Sequence, residues 1–246
     1  LTRGCPYQCS YCYYSKNCKT VRELPTEYLY KALKTKQNIS EIYILSPTFN
    51  RSPSFYNTLK KSSELHSPIT LHTEMRADKI DKHTAQQLYQ AGFRSLEIGL
   101  QTYTKQALKA SNRITIPDKE LQGIYELKKA GISLKIGIIP GLPGDTPENF
   151  VSTVDHMLSL GLHEEIELYP LMILPGTKLL DDAQLYNYEF QTKPPYYLLS
   201  NDYFTFQNII EIIHYVEEKT GFTQFQLSVP SFVQEEDGLF NCALHI

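Results

Sequence analysis

Three cysteines, Cys5, Cys9 and Cys12, stand within eight positions of one another in Leu-Thr-Arg-Gly-Cys-Pro-Tyr-Gln-Cys-Ser-Tyr-Cys. Thiolates are soft, electron-rich ligands, and three on one short loop make a metal-binding ring with one place left over. A structural zinc site takes four protein ligands, and a ferredoxin-type run brings a fourth cysteine close by. This spacing instead leaves one iron free to hold something else, which points to chemistry rather than scaffolding. The residues alone leave two rivals: a non-catalytic iron-sulfur module, and a zinc module that recruits Cys18 as fourth ligand. Cys18 and Cys242 are otherwise read as ordinary thiols without a role. The clustering of the cysteines fits metal ligation in a reducing compartment better than a disulfide framework.

The rest of the chain must position that loop. With 246 residues, 41% hydrophobic and 12% aromatic, it can bury one sizeable core. A formal charge of -3 without Lys/Arg runs gives no electrostatic reason to bind nucleic acid or an anionic membrane. No apolar stretch approaches the ~20 residues of a membrane span, and no signal-peptide pattern opens the chain, so the expected location is cytoplasmic. Short runs rich in Ile and Leu at 41–45, 69–76, 94–101, 133–139 and 165–171 read as strands, separated by stretches long enough for crossover helices. Helices are expected over 26–36, 82–91, 117–130 and from Thr146-Pro147 to Gly161, the last opened by a capping hydroxyl and a proline. A first strand leading into the cysteine loop is expected to be truncated or to lie upstream of Leu1, making six. The fold class is therefore α/β, a partial (βα)6 TIM-like barrel of parallel strands over 1–180. A C-terminal helical extension, 181–246, carries a helix near 207–219 and is expected to close the barrel.

Alternation within the strands says what the sheet surrounds. His72, Glu74 and Arg76 oppose Ile69, Leu71, Thr73 and Met75; Glu97, Gly99 and Gln101 oppose Leu96, Ile98 and Leu100. Lys135, Gly137, Glu165, Glu167 and Tyr169 continue the polar parity. Burying unpaired charges costs several kcal/mol each, so this face is expected to line a wet or ligand-filled cavity.

The cysteine loop, the βα units after it, and the stretches Gly141-Leu142-Pro143-Gly144-Asp145-Thr146 and Leu174-Pro175-Gly176-Thr177 together resemble the radical S-adenosylmethionine superfamily. The resemblance implies a 4Fe-4S cluster on Cys5, Cys9 and Cys12, with S-adenosylmethionine chelated at the fourth iron. One electron breaks a carbon-sulfur bond, and the resulting 5'-deoxyadenosyl radical takes a hydrogen atom from a substrate. Tyr11 matches the aromatic that meets the adenine. Glu74, Gln101 and Arg113 resemble the Glu, Gln and Arg that the coproporphyrinogen-dehydrogenase-like branch uses on S-adenosylmethionine. The bland alternative for each is an internal salt bridge, such as Arg76 with Glu74 or Glu97. Where the superfamily often places Gly-Gly-Glu for the methionine amino group, this chain has Ser46-Pro47-Thr48-Phe49-Asn50, and backbone near Ser46 and Thr48 is left to make that contact. Gly137 replaces an aspartate usual in that branch.

Thr2 to Cys9, Pro47 to Asn50 and Pro194-Pro195-Tyr196 look most like radical enzymes that carry a cobalamin-binding domain ahead of the barrel. The resemblance implies cobalamin held by a domain outside this chain and methyl transfer as the leading reaction. Its alternative is a cobalamin-independent radical decarboxylase or rearrangement enzyme of the coproporphyrinogen-dehydrogenase-like branch. A small-molecule or peptide substrate and an electron donor such as flavodoxin or ferredoxin complete the expected partners. His72, Lys135, Glu167 and Tyr169 are cavity candidates with no catalytic role assigned.

Overall fold

The computed structural model describes residues 1–14, 20–35 and 38–224, and the backbone of two short C-terminal strands. In chain order the elements are β1 (Thr2–Arg3), β2 (Arg22–Glu23), α1 (Glu27–Leu33), β3 (Glu41–Ile44), α2 (Phe55–Glu64), β4 (Thr70–Met75), α3 (Lys82–Gln90), β5 (Phe93–Gln101), α4 (Lys105–Ala110), α5 (Pro117–Lys129), β6 (Ser133–Ile138), α6 (Pro147–Ser159), β7 (Ile166–Leu168), α7 (Lys178–Asp181), β8 (Glu189–Phe190), β9 (Leu198–Ser200), α8 (Phe206–Thr220), β10 (Phe232–Gln234) and β11 (Phe240–Cys242).

Strands β3 to β7 form one parallel sheet in sequence order, each joined to the next by a helical crossover. The expected sixth strand is not in it. Thr2–Arg3 instead pairs antiparallel with Arg22–Glu23 as a separate ribbon, which uses the strand's bonding edge on the chain that returns from the cysteine loop. Among the described residues the sheet stays open between β3 and β7. The C-terminal extension does not close it: Leu198 and Ile173 exchange backbone bonds with Leu171 and Tyr196 beyond β7, and α8 packs on α6.

Burial follows the sequence alternation. Leu71, Thr73 and Met75 are buried while His72 and Glu74 face the other side, and Leu96, Ile98 and Leu100 are buried beside half-exposed Glu97, Gly99 and Gln101. Thr146 accepts from Asn149 N and precedes Pro147, so α6 starts as its sequence dictates. Helix α8 likewise opens with a Thr205–Asn208 capping box and stops at left-handed Gly221. Its buried face is Ile209, Ile212, Ile213 and Val216.

Candidate functional site

The cysteine loop leaves β1 through Gly4, whose φ of 89° only glycine adopts freely. It is held from both sides of the sheet's C-terminal end. Ser10 N donates to Ser111 O (2.9 Å), Asn112 Nδ2 to Gln8 O (2.7 Å), and Leu179 N to Ser10 O (2.9 Å). Thr48 Oγ1 donates to Cys5 Sγ at 3.8 Å, and Thr2 and Ser46 hydroxyls meet in a buried bond. Cys5 and Cys9 are buried, Cys12 is half-buried, and all three carry thiols rather than disulfides.

These thiols line a cavity of ≈ 220 Å³ over the polar ends of β4 and β5. The same cavity is lined by Tyr11, Thr48, Glu74, Gln101 and Arg113, so the five residues expected to meet S-adenosylmethionine converge on it. Tyr7, Tyr14, Arg76 and Glu97 also line it and were not singled out as ligand contacts. His72, Lys135, Glu167 and Tyr169 do not reach it. His72 Nδ1 lies 2.6 Å from Ser95 Oγ and edge-on to Tyr43, while Lys135 is an exposed partner of Glu167 at 3.6 Å. Tyr169 crosses the sheet to donate to Glu97 (3.4 Å), a path open because Gly137 has no Cβ, which would stand 2.9 Å from the ring.

Arg76 does not pair with Glu74 or Glu97. It bonds Asp78 (3.4 Å) and Glu120 (3.2 Å) and lies over the Tyr7 ring at 4.1 Å. Arg113 bonds the same Glu120 oxygen at 3.2 Å and donates to Gly99 O at the end of β5. Glu120, fully buried, also accepts from Thr115 Oγ1 (2.8 Å) and Ala77 N (2.9 Å). It reaches Ala77 because Gly123, one turn on, lets α5 lie against that backbone: a Cβ there would be 2.0 Å from Ala77 O. In the sequence Glu120 was only an acid in a helix's first turn. Arg76 Nη1 and Arg113 Nε remain buried without a partner, donors at the wall of a cavity.

Gln101 has a left-handed backbone, φ 74°, at a register shift where β5 ends. Such strain in a non-glycine residue concentrates at functional positions. Its amide folds back over Gly99, where a Cβ would be 2.2 Å from Nε2. Burial pushes the Tyr11 hydroxyl's pKa up, and the Cys9 and Cys12 thiolates add to this against the opposing pull of Arg113. Burial alone would lower Arg113, but Tyr11, Glu120 and Cys9 outweigh it and keep the guanidinium charged. Glu74 is raised by burial and by Glu97, against a bond from Tyr43.

Three thiols on one loop are the donor chemistry of an iron-sulfur cluster. Among the described residues no three His, Cys, Asp or Glu side chains are placed to share a single metal ion. Cys18 lies outside the described residues.

A 24% identical relative, the cobalamin-dependent radical SAM methyltransferase TokK of Streptomyces tokunonensis, aligns over 78% of this chain and 30% of its own length. The oxygen-independent coproporphyrinogen III oxidase of Helicobacter pylori is 26% identical over 62% of this chain and 36% of its own. The chain thus spans about a third of the length of these curated relatives. Among solved structures, the radical S-adenosylmethionine methyltransferase TsrM of Kitasatospora setae, with cobalamin and a 4Fe-4S cluster bound, superimposes with a TM-score of 0.68. That match has 17% identity and covers 79% of this chain and 42% of TsrM. The fold is that of these α/β enzymes. The Radical SAM superfamily model matches residues 1–157, which takes in the cysteine loop, β3 to β6 and both arginines, and the chain belongs to that superfamily.

Proposed function

We propose that this chain is the radical-generating part of an enzyme that cleaves S-adenosylmethionine reductively, with cobalamin-dependent methyl transfer as its reaction. The observation that carries the reading is the single cavity shared by three thiols and by Tyr11, Thr48, Glu74, Gln101 and Arg113. Cys5, Cys9 and Cys12 would hold the 4Fe-4S cluster, which when bound supplies the electron that breaks the carbon-sulfur bond. Arg113 presents a charged fork for a carboxylate, Gln101 an amide for hydroxyls, Glu74 an acceptor, and Tyr11 a buried ring for the adenine. Buried Cys5, Cys9, Thr48, Met75, Arg76 and Arg113 form the dry part of the cavity wall, against which the reacting atoms would be held.

Methyl transfer rests on the likeness to TokK and TsrM and requires cobalamin from a domain outside this chain. The likeness to coproporphyrinogen III oxidase supports the second reading, cobalamin-independent radical decarboxylation or rearrangement, against which Gly137 stands. The substrate would be a small molecule or peptide, and an electron carrier such as flavodoxin or ferredoxin would serve as reductant. No described helix is long and apolar enough to cross a membrane, and a cytoplasmic setting would suit the reduced cysteines.

Anaerobically reconstituted protein is expected to contain iron and sulfide and, with dithionite and S-adenosylmethionine, to release 5'-deoxyadenosine; Cys9→Ala is expected to abolish this. A fully loaded cluster that yields none sinks the reading. In the full-length protein with cobalamin, methyl transfer adds S-adenosylhomocysteine as a product, and its absence beside 5'-deoxyadenosine favours the second reading.

A further inference from the structure

Behind the cysteine cavity, on the other side of Arg113, lies a second hollow of ≈ 480 Å³ built from α4 and the segment leading into α5. Arg113 lines both. No carboxylate lines this hollow. Its rim carries Lys105 and Lys109, both exposed, and neither forms an ion pair with a described residue. Beside them Ile114 and Ile116 stand out at 76% and 52% exposure. The chain as a whole is acidic, so a basic and apolar patch here runs against the average of its surface.

The patch is also joined to the cysteine loop by short links. Asn112 bonds the carbonyl of Gln8, next to Cys9, and Ser111 O accepts from Ser10 N on its other side. We propose that this patch is the docking surface for the reductant, a one-electron carrier protein whose redox centre is ringed by acidic side chains. Lys105 and Lys109 steer and orient the carrier, and Ile114 and Ile116 supply the dry contact at the centre. With a flavin carrier, a hydroquinone would give up one electron and become the semiquinone, and the cluster that Cys5, Cys9 and Cys12 would hold would take that electron. The inference rests on the enzymatic reading above.

The test uses the reconstituted protein, a bacterial flavodoxin and the double variant Lys105→Glu/Lys109→Glu. Charge reversal is expected to slow flavodoxin-supported release of 5'-deoxyadenosine by about tenfold or more, and to weaken flavodoxin binding, followed by flavin fluorescence, to a similar degree. The dithionite-supported rate should stay within about twofold of wild type, and added salt should slow only the wild-type flavodoxin reaction. Lys105→Arg/Lys109→Arg is expected to behave as wild type. An unchanged flavodoxin rate in the reversed variant overturns the docking site and leaves the enzyme reading standing. An equal loss with dithionite shows that the lysines serve the fold or hold another part of the enzyme, which also overturns it. No cleavage with either reductant in the wild type removes both proposals.

Discussion

Arg76 and Arg113 share one oxygen of one carboxylate: Nη2 of each lies 3.2 Å from Glu120 Oε1, in a site where all three side chains are buried. Asp78 pairs with Arg76 as well (3.4 Å), yet Arg76 Nη1 and Arg113 Nε are still to be satisfied at the cavity wall. Buried guanidinium donors without partners suit an anionic group, and under the proposed function that group would be the carboxylate of S-adenosylmethionine.

Removing Glu120 leaves two buried guanidinium groups facing each other. Glu120→Ala is expected to destabilise the fold by roughly 3–5 kcal/mol, the scale for breaking a buried pair. Urea denaturation of wild type and variant measures this, and a loss under ~1 kcal/mol would show that the triad is not what holds α5 to the loop after β4.

Arg113→Lys keeps the charge but loses the planar fork. Binding of S-adenosylhomocysteine to the reconstituted protein, followed by calorimetry, is expected to weaken about tenfold to a hundredfold, the worth of a charged hydrogen bond of ~1.5–3 kcal/mol. Equal affinity would remove Arg113 from the carboxylate site.

Two glycines should respond in opposite ways to alanine. At Gly123 the new methyl meets the backbone carbonyl of Ala77, which cannot move aside, and a stability loss of roughly 1–3 kcal/mol or more is expected. At Gly99 it meets the tip of the Gln101 side chain, which can swing away. Gly99→Ala should therefore fold normally and bind S-adenosylmethionine about fivefold more weakly, one neutral hydrogen bond of ~1 kcal/mol. Thermal melts paired with binding isotherms separate the two outcomes.

Glu74 supplies a pH signature. Burial raises its pKa above the ordinary 4.5 and Glu97 adds to the rise, so the folded chain holds this proton more tightly than the unfolded chain. Folded protein then binds more protons between the unfolded and the folded pKa, and stability falls as pH rises through that window. Glu74→Gln cannot ionise and should lack this fall. Denaturation midpoints of wild type minus variant, measured from pH 4 upward, are expected to drop as Glu74 ionises; a flat difference would show that its environment does not penalise the charge.

Much of this was legible in the chain. Alternation of His72 and Glu74 with Leu71, Thr73 and Met75 placed the polar face correctly, since period-two burial is a local property of a strand. Thr146-Pro147 marked the start of α6 for equally local reasons. Helix α2 was not among the expected helices, although Phe55, Thr58, Leu59 and Ser62 recur at helical spacing on its buried face. The β1–β2 ribbon was missed because a two-residue pairing leaves no period. Arg76 was put on the right face, the pairing with Glu74 or Glu97 that was weighed as an alternative does not form, and Glu120 was passed over. Their bond links positions 44 residues apart, and no local pattern encodes which acid a buried arginine finds.

The ribbon of Thr2–Arg3 with Arg22–Glu23 clasps the cysteine loop at its two ends, with Leu24 N bonded to Leu1 O as a further stitch. The loop is thus an appendage fastened to a sheet whose hydrophobic core is made elsewhere. Small zinc domains collapse when stripped of metal because their ligands are their core. Here the core is built without the cysteines, so removing the metal centre they would hold is expected to leave the scaffold standing and the same socket ready to be refilled.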